Sequence, residues 1–260
     1  MTTATQNRIK ALLVGGPTLY FEYAGLALIT DPTFDEPGDY PGGVTLHKLT
    51  GPAVTPAELG PVDIVLLSHD QHADNLDHSG RDFLTTVGTV LSTPDAAARI
   101  PGVTALPNWT TVAHALPDGG SVDITGVPAL HGPPGCESVT GVVTGFVLRA
   151  TGHPTVYVSG DNASVDIVGA IAQRIGRIDI AVLHVGAANP GRFGDTDVTL
   201  NARTALQAAE LLGEAVIVPV HAEGWAHFSE TLDRLELIFG YGGQRERLQV
   251  LEKGHVKPIG

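Results

Sequence analysis

Short apolar runs punctuated by Gly and Pro dominate the first half of the chain. Ala11–Val14, Leu19–Tyr23 and Leu26–Thr30 are each four or five residues long and sharply bounded, the pattern of buried β-strands. Pro32–Pro52 carries several Pro and Gly and no clear periodicity, and reads as a long surface loop suited to the mouth of a site. Ile64–Leu67, Val87–Ser92, Ser121–Val127, Val142–Arg149 and Thr155–Val158 return to strand, with a short helix at Pro94–Ile100 that has Pro in its first turn. After residue 160 the period changes. Ser164–Ile175, Ala202–Leu212 and Leu232–Phe239 place apolar residues at helical spacing, and Ile178–Leu183 and Ala215–Val220 are strands between them. Gly213 supplies a stop to the second of these helices. No repeat, low-complexity tract or linker interrupts the series, which predicts an α/β protein with sheets covered by helices in a single domain over residues 1–260.

Composition adds three constraints. A chain of 260 residues buries roughly three quarters of its unfolded surface and needs no disulfide staple. The lone Cys136 forms no internal disulfide, as expected of a reducing compartment. Met1–Lys10 is polar, with no apolar signal core, and there is no apolar run of about 18 residues; these features predict a cytoplasmic protein with no membrane partner. The formal charge of −13 disfavours nucleic acid. Eleven His against one Cys mean that any metal must be held by imidazole and carboxylate.

Candidate ligands sit at the ends of predicted strands. His69 follows Leu66-Leu67-Ser68, His131 follows Val127-Pro128-Ala129-Leu130, Asp161 follows Val156–Gly160, and His221 follows Val216–Val220. Each alone has an ordinary reading: a loop His that forms hydrogen bonds, or an Asp that makes a turn or caps a helix. Repeated at four strand ends, they describe rigid arms that can bring donors to one point. The first arm opens into a dense polar cluster, His69-Asp70-Gln71-His72-Ala73-Asp74-Asn75-Leu76-Asp77-His78, which offers the nitrogen and oxygen donors that suit Zn, Mn or Fe. His227, in Glu223-Gly224-Trp225-Ala226-His227-Phe228, is placed to act on a substrate, and Trp225 and His184 are assigned to the pocket wall. His78 is expected to face solvent at a helix start.

This cluster resembles the His-x-His-x-Asp-His motif of the metallo-β-lactamase superfamily, in its UlaG-like branch. Asp31-Pro32, Pro128-Ala129-Leu130-His131-Gly132, Ser159-Gly160-Asp161 and Pro219-Val220-His221 occur in the family order, so the resemblance spans almost the whole chain. It implies an αββα four-layer sandwich of two mixed β-sheets flanked by helices. It also implies one or two divalent metal ions, with Zn favoured over Mn or Fe. The first would take His69, His131 and either His72 or Gln71, because the loop is one residue longer than the motif. The second would take Asp74, Asn75 (where the family has His) and His221, with Asp161 bridging. The implied activity is hydrolysis of a small ester or lactone by a metal-bound hydroxide. Asp74 would handle the proton, and His227 would stabilise an oxyanion or protonate the leaving group. A phosphodiesterase acting on a small or cyclic phosphodiester is the alternative. A di-iron redox protein, or a binding protein whose site has degraded at Gln71 and Asn75, are readings from other classes. The expected partner is a small-molecule substrate; a homo-oligomer is compatible with the sequence and not required by it.

Overall fold

The period-2 alternation of the strands decides which face each residue serves. In a computed structural model that describes residues 8–117 and 119–260, the chain begins with strands β1 (Ile9–Gly15), β2 (Thr18–Tyr23) and β3 (Leu26–Thr30). A ribbon of β4 (Gly38–Tyr40) and β5 (Leu46–Lys48) follows, then helix α1 (Pro56–Leu59), β6 (Ile64–Leu66), α2 (His78–Leu84), β7 (Thr89–Ser92) and α3 (Pro94–Arg99). Next come β8 (Val103–Ala105), β9 (Thr111–Ala115), β10 (Ser121–Ala129), α4 (Glu137–Thr140), β11 (Val143–Ala150) and β12 (Val156–Val158). The last part alternates α5 (Val165–Ile175), β13 (Ile180–His184), α6 (Ala202–Leu211), β14 (Val216–Val220), α7 (Leu232–Tyr241) and β15 (Lys257–Ile259). Met1–Asn7, most of the segment read for a signal core, lies outside the described residues. Among the described residues, no helix is long and apolar enough to cross a membrane.

Two sheets form, one of seven strands in the order β15-β1-β2-β3-β6-β7-β8 and one of six in the order β14-β13-β12-β11-β10-β9. Both are mixed. The pairs β1–β2, β2–β3 and β10–β11 are antiparallel, whereas β6–β7, β7–β8, β12–β13 and β13–β14 are parallel with a helix as each crossover. Alternate residues of one strand enter different cores. Ile9, Ala11 and Leu13 of β1 meet Phe146, Leu148, Val156 and Val182 between the sheets, while Leu12 and Val14 face Phe83 and Leu84 of α2. In the second sheet Ile180 and Val182 point inward, and Ala181 and Leu183 pack beneath Ala205, Ala208 and Phe239 of α6 and α7. The architecture is therefore αββα, as the resemblance implied. Strands buried on both faces explain the continuous apolar runs of β6, β12 and β13.

Pro32–Pro52 is more structured than its sequence pattern suggests, because it carries the β4–β5 ribbon. The ribbon is tied down by a buried ion pair, Lys48 Nζ to Asp77 Oδ2 at 2.8 Å, whose side chains are 4% and 0% exposed. Asp77 is also the N-cap of α2, accepting from Gly80 N at 2.8 Å, and it accepts from Phe34 N and Asp35 N at 3.0 and 2.7 Å. One carboxylate thus joins the ribbon, the loop after β3 and the helix start. Gly80 must be glycine there, since an added Cβ would lie 1.8 Å from the Pro32 carbonyl oxygen. Asp35 repeats the clamp from the other side, accepting from Ser79 N at 2.9 Å, His78 N at 3.1 Å and the Tyr40 hydroxyl at 2.7 Å. Burial pushes the Asp35 carboxyl up, but hydrogen bonds from Ser79, Tyr40 and His78 outweigh it and hold the group well below the usual carboxylate range.

Two outcomes follow for stability. Asp77→Ala uncaps α2 and strands a buried ammonium, so urea denaturation is expected to show a loss of about 3–5 kcal/mol. Asp35 has its folded pKa depressed, so its stabilisation is fully present above the unfolded value of about 3.9 and is lost as pH falls through the folded one. Asp35→Asn is therefore expected to cost stability at pH 7, and the gap from wild type closes as denaturation curves are taken below about pH 4. A gap that stays constant with pH removes the ionic part of the clamp.

Candidate metal centre

The donors gather where the strands end. His69, His72 and Asp74 come from the loop after β6, His131 from just past β10, Asp161 from just past β12, and His221 from just past β14. His69 Nε2 lies 2.9 Å from His72 Nδ1, and His131 Nε2 lies 3.1 Å from the same atom. Asp161 Oδ2 completes the group at 3.4 Å from His131 Nε2 and 4.0 Å from His69 Nε2. Ligands about 2.05 Å from one ion in a tetrahedron stand about 3.3 Å apart, and these four atoms scatter around that separation. A second group adjoins it. His221 Nε2 is 3.1 Å from Asp74 Oδ2 and 3.5 Å from Asp161 Oδ1.

Backbone geometry fixes these positions. Gly160 has φ +59°, and a Cβ on it would lie 2.7 Å from the Thr144 carbonyl oxygen and 2.9 Å from Ser68 Cβ. Only glycine lets Asp161 leave β12 at that angle. His221 takes a left-handed φ of 57° without being glycine; its N–H donates to the Gly16 carbonyl at 2.8 Å. Asp31, with φ 32°, lies beneath both groups and accepts from Ser68 N at 2.6 Å, His184 Nε2 at 3.2 Å and Asn75 Nδ2 at 3.4 Å. Such strained residues persist only where surroundings over-determine them, and here several buried hydrogen bonds do so.

Protonation favours a cation in the first group. His131 Nδ1 donates to the Val198 carbonyl oxygen at 2.7 Å, which leaves Nε2 of the neutral ring as a bare lone pair aimed inward. His69 Nδ1 pairs with Ser68 Oγ at 2.9 Å, again leaving Nε2 inward. Burial, reinforced by His72, pushes both His69 and His131 well below the usual histidine range, and burial takes His221 down to about 4. These rings are therefore neutral at pH 7. Burial, with Asp74 and Asp31 nearby, pushes Asp161 up. Burial also acts against the Asp74 anion, but His227 and His221 outweigh it and hold that group low. Asp161 Oδ2 and Asp74 Oδ1 are buried with no hydrogen-bond partner among the described residues. Bare imidazole nitrogens facing an orphaned carboxylate oxygen fit a divalent cation, which would satisfy all of them at once.

The structure gathers His69, His72, Asp74, His131, Asp161 and His221 into two sets of donors within 4.8 Å of one another. Of His72 and Gln71, the structure brings His72 to the other donors. Gln71 is exposed, its amide lying against Gly141 of the loop after α4, and the extra residue in the loop lets His72 swing inward. His227 Nε2 reaches Asp74 Oδ2 at 2.9 Å. His78 is solvent-facing, with an 85% exposed side chain.

Two assignments need correction. Trp225 is buried and bridged to Lys48, with its ring against Tyr40, so it supports the ribbon from behind the pocket. His184 is wholly buried and bonded to Asp31 and Ser159, because β13 extends to include it; it underpins the donors. The pocket over the donors, about 180 Å³, is walled instead by Tyr40–Val44 and Leu46 of the ribbon, by Pro190, Arg192 and Val198, and by Gln71, His72, Asp74, His131 and His227. Arg192 gave no signal in the sequence. Asp31 did, as an acidic residue directly after a buried strand, although its place under the donors depends on tertiary packing.

Against known proteins, the sequence model of the Beta-lactamase superfamily domain matches residues 27–222, a span holding all six of the gathered donors. A UPF0173 metal-dependent hydrolase of Anaeromyxobacter dehalogenans is 27% identical over 234 residues, which cover 90% of this chain and 69% of that protein. Another, of Pyrococcus abyssi, is 24% identical over 199 residues, 76% of this chain and 82% of its own. The crystal structure of an isothiocyanate hydrolase from Delia radicum gut bacteria is similar with a TM-score of 0.80 at 22% identity, over 95% of this chain and 98% of that one, which shows a shared fold. With the match running from β3 to the His221 loop across both sheets of the sandwich, the chain belongs to the metallo-β-lactamase superfamily.

Proposed function

We propose that this protein is a metal-dependent hydrolase that cleaves a small ester or lactone. The observation that carries the reading is the first donor group, with three neutral imidazoles and the orphaned Asp161 Oδ2 facing one another in a buried site. Two relatives below 30% identity bear the name metal-dependent hydrolase, which supports the class and leaves the bond open. Zn is the favoured ion, and Mn or Fe suit the same nitrogen and oxygen donors. When bound, such an ion supplies Lewis acidity to a carbonyl or phosphoryl oxygen and lowers the pKa of a coordinated water to about 7.

The chain's own residues provide the proton handling and the fit. Asp74 Oδ2 accepts from both His221 and His227, which locks the carboxylate and leaves Oδ1 free to accept a hydrogen bond from water in the pocket and so orient it. His227, expected to stabilise an oxyanion or protonate a leaving group, instead commits its Nε2–H to Asp74 and serves as a positioning residue. Pro41, Val44, Leu46, Pro190 and Val198 in the wall present apolar surface to an uncharged acyl group, and a cavity of about 180 Å³ admits only a small one. Arg192 on the same wall favours a second reading, a small phosphodiester, because a guanidinium pairs with phosphate oxygens.

His131→Ala is expected to abolish hydrolysis and most metal binding, with unchanged circular dichroism. Asp74→Asn is expected to lower kcat by about 10²–10⁴-fold with KM little changed. Steady-state assays on an ester, a lactone, a phosphodiester and an isothiocyanate would check both, and full turnover by His131→Ala would end the proposal. Arg192→Ala separates the two substrate readings: it raises KM for phosphodiesters and spares uncharged esters.

A further inference from the structure

The two donor groups differ in a way that bears on how many ions the centre holds, given that it is the hydrolytic site proposed above. In the first group each well-buried ring has its outer nitrogen pinned: His131 Nδ1 donates to the Val198 carbonyl, and His69 Nδ1 pairs with Ser68 Oγ. Metal-ligating histidines show this arrangement, since an acceptor on the outer nitrogen fixes the tautomer with a lone pair turned to the ion. In the second group the arrangement is reversed. His221 and His227 both point Nε2 at Asp74 Oδ2, at 3.1 and 2.9 Å. Their outer atoms, His221 Nδ1 and His227 Nδ1, are buried without a partner among the described residues. At these separations Asp74 Oδ2, which only accepts, takes a hydrogen bond from each ring in its Nε2–H tautomer, and nothing on the outer side of either ring holds the tautomer that a ligand needs. With no acceptor on Nδ1, the opposite tautomer would bury an unsatisfied N–H.

The amide of Asn75 keeps this arrangement closed. Its Nδ2 donates to Asp161 Oδ1 at 3.3 Å and to Asp31 Oδ2 at 3.4 Å. The amide hydrogens therefore engage the Asp161 oxygen that faces His221, while Asp161 Oδ2, on the side of His69 and His131, stays unpaired. The carboxylate has one oxygen committed to the protein and one left for an ion. Turning the amide over would place its oxygen against two carboxylate oxygens.

We infer that this centre takes one cation, on His69, His72, His131 and Asp161, and that Asp74, His221 and His227 beside it form a hydrogen-bonded cluster held closed to a second cation by the amide of Asn75. The second position thus becomes a fixed carboxylate with two N–H donors, directly next to the ion.

Metal content tests this apart from activity. The full-length protein, saturated with Zn(II) or Mn(II) and desalted, is expected to retain one equivalent per chain. Asn75→His, which offers an imidazole in place of the amide, is expected to retain two, and Asp74→Asn to retain one. Two equivalents in the wild type overturn the inference and leave the hydrolase reading standing. None in the wild type overturns that reading, and the inference with it. A folded Asn75→His that stays at one equivalent overturns the part assigned to the amide. Should that variant fail to fold, electron paramagnetic resonance of the Mn(II)-loaded wild type decides alone. The spectrum of an isolated ion supports the inference, and that of an exchange-coupled pair overturns it.

Discussion

Lone pairs that face one another inside a protein repel, and in this protein the fold is built to hold them there. His69 and His131 turn bare Nε2 atoms toward one another across His72 Nδ1, next to a carboxylate oxygen that no described residue satisfies. A flexible loop would relax such an arrangement by rotating its side chains away. Here the donors leave strands whose flanks are buried in cores on both faces of the sheets. Interiors at crystal-like packing density do not yield to local repulsion. The energy that keeps the donors together is therefore hydrophobic and remote from them, contributed by residues such as Leu66, Val158 and Val220 at the inner faces of the strands.

Beneath the donors, Asp31 converts that rigidity into alignment. It is 1% exposed and links the β6 end, through Ser68 N, to β13 through His184 and to the ligand loop through Asn75. The two sheets therefore meet at one carboxylate on the side where the donors emerge. Its left-handed backbone stores strain of order 1–3 kcal/mol, offset by these buried charge-assisted hydrogen bonds at about 1.5–3 kcal/mol each. His184, wholly buried, belongs to this layer. Its position at a strand end made it resemble a pocket residue, and only the extra length of β13 shows that it points into the support.

What the sequence revealed, and what it did not, follows from the same division. Strands buried on both faces announce themselves as apolar runs, so β3, β6, β12, β13 and β14 were legible, and with them the residues at their ends. Edge elements were not. β9 (Thr111–Ala115) alternates exposed and half-buried residues. β15 adds only Lys257, Pro258 and Ile259 to the rim beside β1, and β4–β5 hides among Gly and Pro. Their pairing is a tertiary fact with little local signal. The shift of His72 into the place of Gln71 could be foreseen as one of two options, because loop length is visible. Choosing between them needed Gly141, distant in sequence, against which the Gln71 amide rests. The tautomers of His221 and His227 were beyond reach, since they depend on which atoms lack partners after folding.

The ribbon that walls the pocket is fastened independently of the donors, and this separation bears on how substrate choice can change. Lys48 and Asp77 tie β5 to the start of α2, just past the ligand loop, and Trp225 backs the ribbon through its bridge to Lys48. Between these anchors the tip from Pro41 to Thr45 carries no donor and lines the cavity through Pro41, Gly42, Gly43 and Val44. Substitutions there alter the volume and polarity above the donors, while the strand ends that fix them stay in place. Loops on a rigid scaffold commonly carry specificity for this reason. Arg192 stands across from that tip, its guanidinium 3.3 Å from where a Cβ on Gly43 would lie. A side chain at position 43 would meet the end of that guanidinium, so a substitution there reaches the charged part of the wall as well as its volume.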